Sequence, residues 1–345
     1  MQISDFDYEL PEELIAQQPL PERDASRMLV VDREHQTLAD EQFLSLPKYL
    51  HAGDCLVLNN TKVFPARLMG ERVPSGGTTE VLLLREIEPN LWQVLARPAR
   101  RLRIGSGITF GNGRLQGIVT AANEDGTRLI QFEPHGDFLD LISEIGQPPL
   151  PPYIKRNDAP APEDRERYQT VYARETGAIA APTAGLHFTR SVFDEIRNAG
   201  VSIAEITLHV GYGTFEPVRV EDVSQHHVLP ETFSIPAEAA EVINRTRASG
   251  GRIIAVGTTT SRALESAASA EGEIMPSTST AGLTITPGYK FKIVDALVTN
   301  FHLPRSSLLL LVSALAGREL TLEAYRHAVS QRYRFYSYGD CMLIL

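Results

Sequence analysis

Cysteine is almost missing from this 345-residue chain: Cys55 and Cys341 are the only two, and each stands among strand-like apolar residues. Such thiols point to buried, inert side chains rather than to a disulfide framework or a cysteine nucleophile. No Cys/His spacing resembles a zinc site, so no metal is expected. No apolar run approaches the roughly 18 residues of a membrane span, and the longest, 308–316, is broken by Ser313. The opening MQISDFD lacks the basic start and apolar stretch of a secretory signal. The expectation is a cytoplasmic protein with no membrane association and no obligate protein partner. A surplus of positive charge is lacking too, since 33 Lys and Arg face 43 Asp and Glu for a net charge of −10. That excludes a protein that coats nucleic acid without specificity. It leaves room for a local basic surface, and RPARRLR at 97–103 supplies Arg97, Arg100, Arg101 and Arg103 ahead of a Gly-rich turn. Taken alone, such a short cluster marks a solvated face more often than RNA contact, and Lys155-Arg156 is weaker still.

What is present fits an ordinary globular chain, 43% hydrophobic and 22% charged. Its length allows two domains. Residues 1–62 combine a helix near 11–18 with a strand at 55–58 that ends in Asn59-Asn60-Thr61-Lys62. From 63 to about 133 the pattern becomes short strands, at 63–73, 80–87, 91–96, 108–110, 115–120 and 128–132. Gly76-Gly77, Pro89-Asn90, GNG at 111–113 and Asp125-Gly126 supply the turns. Six such strands predict a small antiparallel barrel or sandwich. A helix at 137–145 and the proline-rich PPLPPY at 148–153 lead back to alternating strands and helices. Strands are predicted at 202–210, 252–256 and 341–345, and helices at 237–248, 263–269, 306–315 and 321–331. The fold class is therefore an α/β main domain with a mixed sheet, formed by 1–62 and 150–345, into which a small antiparallel β-barrel, 63–149, is inserted.

The most informative stretch is GAIAAPTAGLHFT at 177–189, where His187 and hydroxyls sit among small residues that no core requires. Small residues let backbone N–H groups approach a ligand, and Thr189 stands as the N-cap of an amphipathic helix. A second segment, DALVTNFHLP at 295–304, ends a buried strand in Asn300, His302 and Pro304 before a helix beginning near Ser306 or Ser307. Polar strand ends before capped helices suggest one site at one edge of an α/β sheet. Strand 252–256 runs into GTTTS at 257–261, where N–H groups and hydroxyls at a helix start can hold an anion. The glycine spacing of a dinucleotide fingerprint or a P-loop is absent, so an ordinary strand-to-helix turn with threonine caps remains equally open. His209 ends another strand in a Gly-rich turn. Three strand ends bearing His187, His209 and His302 are harder to ascribe to structure alone than any one of them.

These segments, with LNNTKVFPARL at 58–68, LPPYI at 150–154, RYQTVY at 167–172, LHVGYGTF at 208–215, VGTTTSR at 256–262 and YRFYSYGD at 333–340, resemble the S-adenosylmethionine:tRNA ribosyltransferase-isomerases of queuosine biosynthesis. The resemblance runs the length of the chain, with Arg100-Arg101-Leu102-Arg103-Ile104-Gly105 as a departure where relatives often carry a different basic turn. It implies an α/β domain with an inserted barrel. It also implies transfer of the ribosyl part of S-adenosylmethionine onto the aminomethyl group of 7-aminomethyl-7-deazaguanine at the wobble position of tRNA, with isomerisation to an epoxycyclopentanediol and release of adenine and methionine. S-adenosylmethionine is then a consumed substrate, and no further cofactor is implied. The partner is a tRNA anticodon stem-loop.

Such chemistry needs a general base for the C5′ proton that the sulfonium acidifies, and a donor for departing adenine. His187 is the expected proton-transfer residue, with Asp295, His302 and His209 as orienting or electrostatic partners. Thr258, Thr259 and Arg262 fit the methionine carboxylate. Asn59 and Asn60 can read a base edge, Tyr153 and Tyr168 can stack or donate, and Thr183, Gly185 and Asn300 complete the expected lining. Two rivals remain: an RNA-binding protein without catalysis, which would not need three His-bearing loops, and an RNA methyltransferase, whose Gly-rich nucleotide loop is absent.

Overall fold

The computed structural model describes residues 1–156, 163–215 and 218–345. Nine strands form one mixed sheet, in the order Ser277–Ala281, Glu231–Ile235, Ser202–Leu208, Cys55–Asn59, Ile253–Val256, Ala296–Asn300, Cys341–Ile344, Arg27–Asp32 and Thr37–Gln42. The four strands from Ser202–Leu208 to Ala296–Asn300 are consecutive parallel neighbours. Three of them are buried along their whole length, as a parallel sheet covered on both faces requires. Successive side chains feed opposite cores: Val57, Ala255 and Leu297 one, Leu56, Ile254 and Val298 the other. Helices Ala237–Ala248, Thr258–Ala267, Ser307–Ala316 and Arg318–Ser330 cover the first face, and Arg190–Asn198 with the 3-10 turn Phe43–Tyr49 covers the second.

The strands Arg67–Val73, Thr78–Glu88, Leu91–Arg97, Gly107–Phe110, Leu115–Ala122 and Arg128–Pro134 close into an antiparallel barrel. Helix Phe138–Ile145, capped by Asp137, joins Phe138, Leu141 and Ile142 to the barrel core, where Trp92 stacks on Phe138 with ring centroids 5.4 Å apart. The barrel-and-mixed-sheet architecture is the expected fold class.

Several local expectations fail for physical reasons. The helix expected near 11–18 is only the 3-10 turn Glu12–Leu14, because neighbouring backbone is recruited by residue 335: Ala16 N–H donates to Phe335 O, and Phe335 N–H to Leu14 O. The expected strand 63–73 is interrupted at 64–66. Thr61–Val63 instead pairs with Glu175–Ala178, which frees Arg67–Val73 to enter the barrel. The carboxyl-terminal strand is buried as expected and lies inside the sheet between Ala296–Asn300 and Arg27–Asp32. Both cysteines are buried and free, and burial pushes the Cys55 thiol up to about 12. Among the described residues no helix is long and apolar enough to cross a membrane.

Candidate active site

The central parallel strands finish together at one edge of the sheet, where open α/β sheets hold ligands. There a cavity of about 430 Å³ opens between the 180–184 loop, the helix start at 257–259, the 299–306 segment, Tyr153 and the 336–337 turn. Gly257, at φ 91°, makes the break from strand to helix that residues with a Cβ resist, so the first turn of Thr258–Ala267 points its N–H groups at the space. Asn300 ends its buried strand at the rim, and its Nδ2 donates to Tyr336 O at 2.9 Å while Oδ1 is buried without a partner. Thr259 Oγ1 is likewise buried and unpaired. The rings of Tyr153 and Tyr336 approach to 4.1 Å between centroids, with Tyr153 Oη 2.5 Å from Ser337 Oγ. Tyr336 holds φ 72°, a backbone state costing a bulky residue about 1–3 kcal/mol and found mostly where a site requires it.

His302 lies on the cavity wall with Nε2 2.8 Å from Thr299 Oγ1, its N–H donating to Tyr325 Oη at 3.0 Å and its carbonyl accepting from Tyr8 Oη. The Thr299 contact occupies Nε2 and leaves Nδ1 for a ligand. Burial pushes the imidazole down to about 3, so it is neutral at physiological pH.

Of the expected site residues, the fold brings Thr183, Thr258, Thr259, Asn300, His302, Tyr153 and Tyr168 to this cavity. It keeps the others off its walls. His187 stands behind, in the 3-10 turn Thr183–His187, with Nδ1 2.7 Å from Ser26 Oγ and Nε2 buried without a partner. Burial pushes it down to about 4, the Asn300 amide offsetting part of that and the charges of Arg334 and Arg23 adding to it. Asp295 lies five residues upstream of Asn300, about 17 Å along an extended strand, where its carboxylate accepts from Ile253 N–H at 2.8 Å. His209 is held by Thr61 Oγ1 at 2.9 Å, and burial lowers its pKa. Arg262 points to the neighbouring strands and pairs with Glu231 at 2.7 Å. Asn59 clamps both backbone groups of Leu208, and Asn60 accepts from Thr207 Oγ1 at 2.7 Å, so both amides are spent on the sheet. Gly185 serves packing, since a Cβ there would come within 2.1 Å of Tyr172 Oη. Arg97, Arg100, Arg101 and Arg103 are exposed on the barrel side, and none of their side chains forms an ion pair among the described residues. Phe301, Tyr336 and Ser337 also line the cavity. They were not singled out, although Tyr336 and Ser337 stand in the aromatic string 333–340. Among the described residues no group of three or more His, Cys, Asp or Glu side chains could hold a metal ion.

The profile of the family named queuosine biosynthesis protein matches residues 3–344, nearly the whole chain. The chain belongs to this family. Among its relatives, S-adenosylmethionine:tRNA ribosyltransferase-isomerases from Symbiobacterium thermophilum and Desulforamulus reducens are 53% and 51% identical over all of both chains. The enzyme of the same name from Halothermothrix orenii is also 51% identical over the full length of both. A crystal structure of S-adenosylmethionine tRNA ribosyltransferase from Thermotoga maritima, 39% identical, covers 99% of this chain and all of its own with a TM-score of 0.56.

Two buried neutral histidines make the fold acid-sensitive. In the unfolded chain each binds a proton below about pH 6.5, whereas the folded protein refuses it until about 4 at His187 and about 3 at His302. Their stabilisation is full above pH 6.5 and is lost as pH falls through that window. The urea midpoint of a His187→Asn variant is therefore expected to change less than wild type between pH 7 and pH 4.5. An identical acid slope in both proteins would show that His187 is not held neutral.

Proposed function

We propose that this chain transfers and isomerises the ribosyl moiety of S-adenosylmethionine onto 7-aminomethyl-7-deazaguanine at the wobble position of tRNA, giving epoxyqueuosine-tRNA and releasing adenine and methionine. The observation that carries this reading is the cavity of about 430 Å³ at the carboxyl ends of the parallel strands, in a chain belonging throughout to this family. Thr258, Thr259 and the open helix start suit the methionine carboxylate. The Tyr153–Tyr336 wall and Phe301 suit a planar base. His302 Nδ1, facing the acidified C5′ position, accepts its proton, and Asn300 orients the sugar through its unpaired Oδ1. His187 acts at one remove, as a positioning residue behind Asn300. The reading requires no metal or further cofactor and places the protein in the cytoplasm. The barrel, inserted over 63–149, is the RNA-gripping unit.

The test is incubation of labelled S-adenosylmethionine with tRNA carrying the aminomethyl base. Release of both adenine and methionine is expected. S-adenosylhomocysteine would identify a methyltransferase, and tRNA binding without turnover a non-catalytic RNA-binding protein.

The arginine cluster offers a second check. Phosphate contacts give salt-dependent affinity without sequence preference. Replacing Arg100, Arg101 and Arg103 by Ala is expected to weaken tRNA binding and flatten its salt dependence, with the rate at saturating tRNA near normal. Unchanged affinity and slope would make the cluster a solvated face.

A further inference from the structure

The turn at 336–339 borders two spaces. Tyr336 and Ser337 line the cavity described above, while Tyr338 and Gly339 line a shallow notch of about 20 Å³ that His187, Arg23 and Arg167 also face. No carboxylate forms an ion pair with the guanidiniums at and beside this notch among the described residues. Arg23 donates to Leu186 O at 3.3 Å and Glu166 O at 3.1 Å, and Arg167 donates to Pro21 O at 2.8 Å and Leu20 O at 2.6 Å. Arg334 donates to Gln18 O. All these acceptors are backbone carbonyls, and none of the three guanidiniums forms an ion pair among the described residues. Three buried nitrogens have no hydrogen-bond partner: Arg167 Nε, Arg334 Nη1 and His187 Nε2. Burial and then the charge of Arg167 lower the pKa of Arg23, and the charges of Arg334 and Arg23 act in the same direction on His187. The groups are therefore close enough to repel one another. The carboxylates nearby are Glu22, exposed at the rim, Glu166, and Asp340, whose oxygens are taken by the N–H groups of Arg27 and Arg334.

Guanidiniums with spare donors match the acceptor oxygens of a phosphate. The size of the notch says which kind. A volume of about 20 Å³ holds about one water-sized atom, which suits one oxygen of an anion that stays largely outside. A polymer provides that arrangement: enzymes that act on a base draw it from the stack into a pocket while its backbone remains at the surface. The 336–339 turn and the 182–187 segment lie between notch and cavity.

We propose that the notch lined by Arg23 and Arg167 over His187, with the charge of Arg334 close by, binds a backbone phosphodiester of the RNA whose modified base enters the adjacent cavity. This assignment rests on the proposed reaction for the identity of the polymer. His187 forms the floor of the notch with its Nδ1 held by the Ser26 hydroxyl, so a phosphodiester seated above it changes the surroundings of the imidazole.

The experiment measures tRNA affinity against KCl concentration for wild type, Arg23→Gln, Arg167→Gln and Arg23→Lys. The unfolding midpoint and the dissociation constant of S-adenosylmethionine are determined for each, and the imidazole resonances of His187 are followed on wild type. Both Gln variants are expected to bind tRNA roughly tenfold more weakly and to lose about one phosphate's share of the salt slope, roughly 0.7–0.9 in log K against log salt. Arg23→Lys is expected to keep the slope, S-adenosylmethionine affinity to stay at the wild-type value in every variant, and tRNA to shift the His187 resonances. An unchanged slope in well-folded Gln variants overturns the proposal. If the Gln variants fail to fold, the wild-type resonances decide, and their indifference to tRNA overturns it as well. If inorganic phosphate shifts His187 while tRNA does not, the ligand is a small free anion and the phosphodiester assignment is wrong. A slope that falls as expected in a protein whose wild type releases no adenine supports the notch and refutes the proposed reaction instead.

Discussion

Arg262→Ala is expected to lower the free energy of unfolding by about 3–5 kcal/mol, the usual result of removing one partner from a buried ion pair. Arg262 and Glu231 are each 6% exposed, and their contact measures 2.7 Å. The guanidinium also donates to Ala281 O at 2.9 Å, while Glu231 receives the Gly211 N–H at 2.8 Å. The pair thus ties helix Thr258–Ala267 to two outer strands, and deleting the arginine removes the opposite charge from a buried carboxylate. Urea denaturation of the single variant and of the doubly substituted Arg262→Met, Glu231→Met protein separates the effects, because apolar replacement of both partners should recover much of the loss. A single variant within about 1 kcal/mol of wild type, combined with weakened S-adenosylmethionine binding, would return Arg262 to the carboxylate role that its sequence context suggests.

That arginine shows where sequence reading stops. The barrel was legible because its strands alternate strictly between a buried and an open face, as in Leu115–Ala122. Its turns also carry residues suited to positive φ, such as Asn112, Gly113 and Gly126. The outer strands Thr37–Gln42 and Ser277–Ala281 were not legible, since edge strands of sequence TLADEQ and STSTA bury little and carry no alternation. Their existence is decided by neighbouring backbone. Helix Ala237–Ala248 matched its expected bounds, whereas the helix after Gly257 begins at Thr258, five residues before the expected start. Thr260 is accommodated there by donating its hydroxyl to Val256 O at 2.6 Å.

At the sheet edge, polar residues that end buried strands point to the end where the cavity opens, and Thr258, Asn300 and His302 line it. Whether a polar side chain turns toward the ligand space or back into the sheet depends on partners remote in sequence. His187 meets Ser26, 161 residues away, and Asn59 meets Leu208, 149 away. A single sequence carries no record of those pairings. The left-handed backbone at Tyr336 is equally hidden, because it is imposed on a residue type that avoids it.

His302→Ala is expected to reduce turnover by roughly 10²-fold or more, the usual cost of losing a positioned acid–base group. Three contacts fix the residue around its ring and backbone, so that Nδ1 is the nitrogen left for the substrate. Burial keeps the ring neutral, so an unprotonated nitrogen faces the cavity at pH 7. The loss should fall on kcat, with S-adenosylmethionine binding within a few-fold of wild type, because an acceptor of the C5′ proton acts in the transition state more than in the bound ground state. His302→Gln supplies the control: it keeps a hydrogen-bonding side chain toward Thr299 but cannot take up a proton. Recovery of the rate in the Gln variant would make His302 a positioning residue, and a normal rate in the Ala variant would remove it from the reaction. His187→Ala, one side chain further from the cavity, is expected to show the smaller kcat loss of the two histidine variants, and the reverse order would place the proton acceptor behind Asn300 rather than in front of it.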